Sequence, residues 1–207
     1  MRKRFLGYGV AVLGAVTVTL FVGWWRVDGP GATRPEPLLP SALTAMEFGL
    51  IDHDGDAVGP DALIGRPSMV FFGFTYCPDI CPTTLSDISG WLDALGEDAK
   101  DLDTIFITVD PERDTVEAMA EYVGHFDPSI RGWTGSLDEI MRAAEGFRVK
   151  FVKVATEGGD YTMNHTASVF LYDASGSFAG TIDYHEPEEF AVPKLRRLMA
   201  NAAAEAA

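Results

Sequence analysis

Phe71-Phe72-Gly73-Phe74-Thr75-Tyr76-Cys77-Pro78-Asp79-Ile80-Cys81-Pro82-Thr83-Thr84-Leu85 holds the only two cysteines of the 207-residue chain. They stand where an apolar run, Met69 to Phe74, gives way to a pattern carrying Leu85, Ile88, Leu92 and Leu95. A short aromatic run bounded by Pro67 and Pro78 reads as a buried strand, and apolar positions three and four apart read as the inner face of a helix. Both thiols therefore fall at a strand-to-helix turn, close to a helix N-terminus. The positive end of the helix dipole favours the thiolate there, the form that attacks disulfides and binds soft metals.

Working outward, the helix is expected to end near Gly96, and Asp103 to Asp110 reads as a second buried strand rich in β-branched residues. Strand, helix and strand at this spacing imply a crossover and a parallel pair. Asp114 and Glu117 are expected to form a capping box for a helix that turns Val116, Met119, Ala120, Val123 and Phe126 inward. Ser136 and Glu139 would cap another, with Leu137, Ile140, Met141, Ala144 and Phe147 inward. Lys150 to Ala155 and Ala167 to Tyr172 read as strands, the second turning through Asp173-Ala174-Ser175-Gly176 into a partner at Phe178 to Ile182. A final helix is expected to start near Pro193 and to carry Leu195, Leu198 and Met199. The whole is an α/β domain with a mixed sheet flanked by helices.

Before the cysteines, Met46 to Val58 meets Asp52-His53-Asp54-Gly55-Asp56, which reads as a hairpin turn. The alternating aspartates resemble a calcium loop only faintly, because the glycine is misplaced and no Glu closes the loop. Val27 to Pro40, with Gly29-Pro30-Gly31, Pro35 and Pro37, reads as an extended tether. Ahead of it, Arg2, Lys3 and Arg4 precede Phe5 to Trp25, 21 residues without a charge, closed by Trp24 and Trp25. That length suits a membrane span better than a cleaved signal peptide, and no Ala-x-Ala site follows. The expected organisation is a cytoplasmic tail over 1–4, a transmembrane anchor over 5–25, a flexible linker over 26–40 and a domain over 41–207. The basic lead predicts a bacterial inner-membrane protein, single-pass, with its C-terminal domain in the periplasm.

Of the 16 basic residues, Arg2, Lys3, Arg4 and Arg26 lie in or beside that span, which leaves 12 against 31 acidic residues in the exported part, a net of −19. Such a charge argues against a nucleic-acid partner.

In an oxidising compartment a Cys77–Cys81 disulfide is the plain structural expectation, but a bridge over so small a loop adds little stability. Redox exchange and soft-metal binding remain, and the cysteines alone do not decide between them. Positions i and i+4 of a helix share a face, so two sulfurs at this spacing can converge on one ion. Among the four histidines, His53, His125 and His185 read as solvated surface residues. His165, in Tyr161-Thr162-Met163-Asn164-His165-Thr166-Ala167, stands at the mouth of an apolar strand. A lone histidine there is usually a hydrogen-bonded structural residue. Two thiolates and an imidazole also make a soft three-coordinate set that suits Cu(I) and can serve Cu(II), whereas zinc prefers a fourth ligand. Met163, two residues away, reads as core packing more readily than as a thioether ligand.

The series Phe-Gly-Phe-Thr-Tyr-Cys-Pro-Asp-Ile-Cys-Pro-Thr-Thr-Leu at 72–85, Val-Asp-Pro-Glu-Arg-Asp-Thr at 109–115 and His165 before an apolar strand closely resembles the Sco/SenC family. The resemblance runs from about Glu47 to the final helix and includes the anchor. It implies a thioredoxin-like fold and a membrane-anchored copper chaperone of cytochrome c oxidase assembly, with thiol–disulfide oxidoreductase activity left open. Copper, as Cu(I) or Cu(II), would be held by Cys77, Cys81 and His165. The receiving partner would be the oxidase's copper-bearing subunit; the upstream donor is not identified by the resemblance. Asp79 and Asp110 fall in family signatures as electrostatic or structural neighbours of the site. Asn164 and Thr166 depart from the Asp and Ser of many members, which touches the hydrogen bond that orients the His165 ring. No proline lies between Thr156 and Phe170, where a general thioredoxin-like oxidoreductase places its cis-proline. The alternative function is a thiol–disulfide reductase whose redox-active pair is Cys77 and Cys81; a redox sensor acting through a partner is a third.

Overall fold

The computed structural model describes residues 2–27, 29 and 39–205, with side chains over 14–26, 29 and 39–202. The chain separates into two compact units, Met1–Pro37 and Leu38–Ala207. In the first, Arg2–Val27 forms one helix, α1. Its apolar side chains from Val16 to Trp25 are exposed. Among the described residues no helix is long and apolar enough to cross a membrane. The first part of the span expected over 5–25 lies outside the described side chains, and most of the expected linker lies outside the described residues.

The second unit is built on β3 (Ser68–Gly73), every residue of which is buried. It pairs in parallel with β4 (Asp103–Thr108), Phe71 opposite Phe106 and Gly73 opposite Thr108. On its other edge it runs antiparallel to β8 (Val169–Tyr172), Phe71 opposite Val169. Covered on both faces, such a strand must be apolar along its whole length, which is why the aromatic run was readable. The parallel pair is bridged by α2 (Ile80–Leu95), whose Leu85, Ile88, Trp91, Leu92 and Leu95 are buried. Each leucine or isoleucine so buried contributes about 1.5–3 kcal/mol.

The full sheet adds β1 (Leu50–Asp52), β2 (Ala57–Val58), β5 (Ile130–Thr134) and β9 (Phe178–Ile182), in the order β2-β1-β5-β4-β3-β8-β9. The turn between β1 and β2 is tied by Asp52, whose Oδ1 accepts from the Asp54 and Asp56 amides at 3.0 and 2.9 Å. Helices lie over both faces, because adjacent strand residues point opposite ways. Phe72 meets Phe147 at 5.2 Å, just past α4 (Leu137–Gly146). Phe106, beside Phe71, meets Tyr122 of α3 (Val116–Val123) at 5.7 Å.

Several expectations need correction. Strand β5 was not foreseen: Ile130-Arg131-Gly132-Trp133-Thr134 mixes a charge and a glycine into a short run, and it is buried by lying between β1 and β4. Thr115, not Asp114, caps α3, its Oγ1 accepting from the Ala118 amide at 3.3 Å. The Asp114 carboxylate is turned inward to other partners. Ser136 does cap α4, but Leu137 and Met141 are 47 % and 54 % exposed. The buried ridge is Ile140, Ala143, Ala144 and Phe147, and the Leu137–Met141 pair falls to its side by helical periodicity. The last helix, α5 (Glu188–Glu205), starts before Pro193 rather than at it. The carbonyl that Pro193 leaves unpaired belongs to Glu189, an exposed residue open to water.

The largest departure concerns the histidine. The sequence predicts a strand over Lys150 to Ala155 and the next from Ala167, with no partner strand assigned between them. Residues 151–165 form a separate two-stranded sheet of β6 (Phe151–Ala155) and β7 (Tyr161–His165), antiparallel, with Phe151 opposite His165. Along β6 four of five residues are exposed, so the pattern carries no core signal.

Candidate metal centre

Strand β3 delivers the chain to Gly73, and seven residues later α2 begins at Ile80. Cys77 stands in the connecting turn, half-buried, and Cys81 in the first turn of α2, fully buried. Their convergence is thus a property of the turn, not of two positions on one helix face as the spacing suggested. The Cys77 sulfur accepts the Cys81 amide at 3.4 Å. His165, the last residue of β7, brings Nε2 to 3.4 Å from the Cys81 sulfur. The three ligand atoms lie within 4.8 Å of one another, and among the described residues no other group of His, Cys, Asp or Glu is gathered this way. Both cysteines are free thiols.

Gly73 makes room for this arrangement. A Cβ there would lie 2.8 Å from the Cys81 sulfur and 2.7 Å from the Phe106 ring. The missing side chain is therefore the seat of Cys81, a role that the sequence alone did not reveal. The imidazole is walled edge-on by Phe71 at 6.1 Å and by Phe74 at 5.9 Å. Its Nδ1 donates to the Thr166 carbonyl at 2.8 Å. That bond leaves the Nε2 lone pair facing the sulfurs, the tautomer a metal needs. It is made to a backbone oxygen, so the side chains at 164 and 166 do not change it; Thr166 instead accepts the Lys150 amide through Oγ1 at 3.0 Å.

The two thiols are electrostatically unlike. The hydrogen bond from Cys81 draws the Cys77 thiol from 9.0 down to about 4, against the opposing effect of burial and with help from the amides of Asp79 and Cys81. Cys81, which donates that bond and is buried, is pushed well above the usual thiol range. The pair thus shares one proton. A soft metal that takes both sulfurs must release it.

Around this trio the 109–115 segment forms a buried polar scaffold. Asp114, fully buried, accepts from the Thr75 amide at 3.0 Å, the Thr75 hydroxyl at 2.6 Å and the Thr108 hydroxyl at 2.5 Å. Burial raises its pKa in spite of those donors. Thr75 lies two residues before Cys77, so this network fixes the cysteine turn to the end of β4. Asp110 takes the Arg113 Nε at 2.5 Å and the Tyr161 hydroxyl at 2.9 Å. It lies outside the gathered trio. Asp79 holds the N-cap position of α2 without a side-chain capping bond. Met163 is 8 % exposed within the core. His125 and His185 are exposed, but His53 accepts the Gly132 amide through Nδ1 at 3.0 Å and so serves the β1–β5 edge rather than the solvent. The motif at 109–115 was visible in the sequence; the parts played by Thr75, Arg113, Asp114 and Tyr161 were not.

A sequence profile of the family SCO1/SenC matches residues 37–200. The chain is similar to "Protein SCO2 homolog, mitochondrial" of Danio rerio, 36% identical over 86% of this chain and 67% of that protein. It is also similar to "Protein SCO1 homolog 1, mitochondrial" of Arabidopsis thaliana, 38% identical over 71% of this chain and 44% of that one. The chain thus spans between under half and two thirds of the length of these relatives. Among solved structures, Bradyrhizobium japonicum ScoI with copper bound superposes with a TM-score of 0.69 at 44% identity, covering 73% of this chain and 96% of that one.

Proposed function

The chain belongs to the SCO1/SenC family, and from that premise we propose that it is a membrane-anchored copper metallochaperone. Cys77, Cys81 and His165 would hold one copper ion and pass it by ligand exchange to the binuclear copper site of cytochrome c oxidase, on the oxidase's copper-bearing subunit. The anchor is assigned to residues 5–25, and the domain to the periplasmic side, from the basic lead and the uncharged run behind it. The observation that carries the reading is the gathering of two sulfurs and one imidazole nitrogen within 4.8 Å, with His165 held in the tautomer that frees Nε2. Two thiolates favour Cu(I), and the imidazole completes a set that Cu(II) can also use. Cys81 is fully buried whereas Cys77 and His165 are partly exposed, so an ion would reach the site from their side.

A second reading has its own support in the asymmetry of the thiols. A half-exposed Cys77 thiolate beside a buried Cys81 thiol suits thiol–disulfide exchange. The Cys77 thiolate would attack a partner's disulfide and release one partner thiolate. Cys81, losing its proton, would then displace the second, leaving a Cys77–Cys81 disulfide and a two-electron-reduced partner.

Metal content of the purified full-length chain after desalting, with a thiol count, tests the first reading. One copper per reduced chain is expected, essentially none after mild oxidation to the disulfide, and none in Cys77→Ala or Cys81→Ala. An oxidised chain that retains copper as well as the reduced one would sink the two-sulfur site.

A further inference from the structure

The thiols and the imidazole are carried by different sheets. Cys77 and Cys81 follow β3 of the seven-stranded sheet, whereas His165 closes β7 of a two-stranded sheet whose ladder runs only between β6 and β7. At its His165 end the hairpin is tied to the main sheet by backbone, since β8 begins at Val169 opposite Phe71; its other end is bound to the cysteine turn by side chains.

Those side chains converge on one residue. The Arg113 guanidinium donates through Nε to Asp110 Oδ2 at 2.5 Å and through Nη1 to the Tyr161 carbonyl at 3.1 Å. Its Cζ lies over both tyrosine rings, 3.8 Å from the centre of Tyr161 and 4.7 Å from that of Tyr76. Tyr161 opens β7 and Tyr76 precedes Cys77, so one planar cation touches both carriers. Phe74, 5.9 Å from the same guanidinium, is the ring that stands edge-on to His165. Asp110 completes the link by accepting the Tyr161 hydroxyl at 2.9 Å. The other tie between hairpin and loop, Lys153 to Glu112, is 45 % and 61 % exposed and so is screened by water. The Arg113–Asp110 pair is 17 % and 3 % exposed and is not. Arg113 Nη2 is buried without a hydrogen-bond partner.

We propose that Arg113 is the positioning residue of His165: wedged between Tyr76 and Tyr161, it locks the β6–β7 hairpin to the cysteine turn and so sets the imidazole against the two sulfurs. The proposal rests on the copper reading for its metal measurements and on the hairpin geometry alone for the rest. A lysine has no planar face and cannot direct two bonds in a fixed fork, so it cannot replace this arginine. Outer groups that orient a metal-binding histidine are worth about 10–100-fold in affinity.

The test uses the full-length reduced chain in detergent, as Arg113→Lys and as Tyr161→Leu. The second variant removes the stacking platform but leaves the buried Asp110–Arg113 pair intact, which guards against simple unfolding. In the metal-free proteins, the His165 ring protons, now shifted by the rings of Phe71 and Phe74, should move toward free-histidine positions. On loading, Cu(I) content should stay at one per chain, carried by the thiolates. Cu(II) affinity should fall about tenfold or more, with loss of nitrogen hyperfine coupling from the imidazole. Unchanged ring shifts and hyperfine coupling in both variants would overturn the proposal. So would a joint loss of Cu(I) content and melting temperature in both, which would make Arg113 a general prop of the domain. If the unmodified chain takes up no copper, the copper reading fails, while the ring shifts of the metal-free proteins still decide the role of Arg113.

Discussion

The cysteine turn and the histidine hairpin meet within 4.8 Å but are held in opposite ways. The turn hangs from a strand buried at every residue, and the buried Asp114 binds it through both the amide and the hydroxyl of Thr75. The hairpin has one exposed strand and no ladder to the main sheet; Met163 alone of it is buried in the core, His165 rests against Phe71 and Phe74, and polar and stacking contacts hold its far end. One half of the site is placed chiefly by the hydrophobic core, and the other takes a larger share of its placing from directed contacts. The lesson is that the same three ligand atoms tolerate different changes on each side: volume matters at the thiols, direction at the imidazole.

The sharpest way to break this comparison is Gly73→Ala. The added methyl meets the Cys81 sulfur and the Phe106 ring at contact distances no real Cβ sustains. Overpacking of this kind costs about 1–3 kcal/mol, which expressed at the site is roughly five- to hundredfold in copper affinity. Isothermal competition with a Cu(I) chelator would read it. Unchanged affinity would mean that the thiol half is as adjustable as the hairpin.

A smaller effect separates the thiols from each other. Cys77, held near 4 instead of 9.0, should react with iodoacetamide at a nearly constant rate from pH 8 down to about pH 5, then slow as it takes up its proton. Cys81, buried and pushed up, should stay unmodified over that range. The folded reduced chain binds the Cys77 proton less tightly than the unfolded chain does. Cys77 therefore contributes stability that is fully present above pH 9 and is lost as the pH falls through about 4. Cys81 works the other way, adding stability below the ordinary thiol pKa and losing it above. Peptide mapping after alkylation at each pH would show it. Equal labelling of both cysteines at pH 6 would refute the division of roles.

The smallest effect expected is that of Thr166→Ala. The His165 ring is oriented by the carbonyl of residue 166, which alanine also provides. Only the hydroxyl that accepts the Lys150 amide is lost, about 0.5–1.5 kcal/mol of stability. Copper content and the Cu(II) spectrum should not change. A shifted spectrum would show that side chains, not backbone, aim the ring.

Legibility in the sequence follows the same division. The buried β3, the crossover through α2 to β4 and the final hairpin of β8 and β9 were readable, because burial writes apolar periodicity into a chain. Strand β5 was missed since its burial comes from neighbours on both sides and not from its own composition. Strand β7 was missed because Thr162, Asn164 and His165 look like a polar loop and its partner strand is exposed. All three members of the trio could be named in advance, by chemistry and by resemblance. Their supports could not: Gly73 matters through an absent atom, and Arg113 through contacts with residues 37 and 48 positions away in the chain.

The hairpin's self-contained ladder has a consequence for how such proteins diverge. A substitution, insertion or deletion within residues 151–165 leaves the pairing of the seven-stranded sheet untouched, since no bond of that sheet passes through it. On the proposed copper reading, drift can therefore retune the nitrogen donor, and with it the preference between the two oxidation states of copper, while the sulfur donors are inherited unchanged. In the seven-stranded sheet a slip of one residue in β3 would turn every side chain of that strand to the wrong face, and selection there has little latitude.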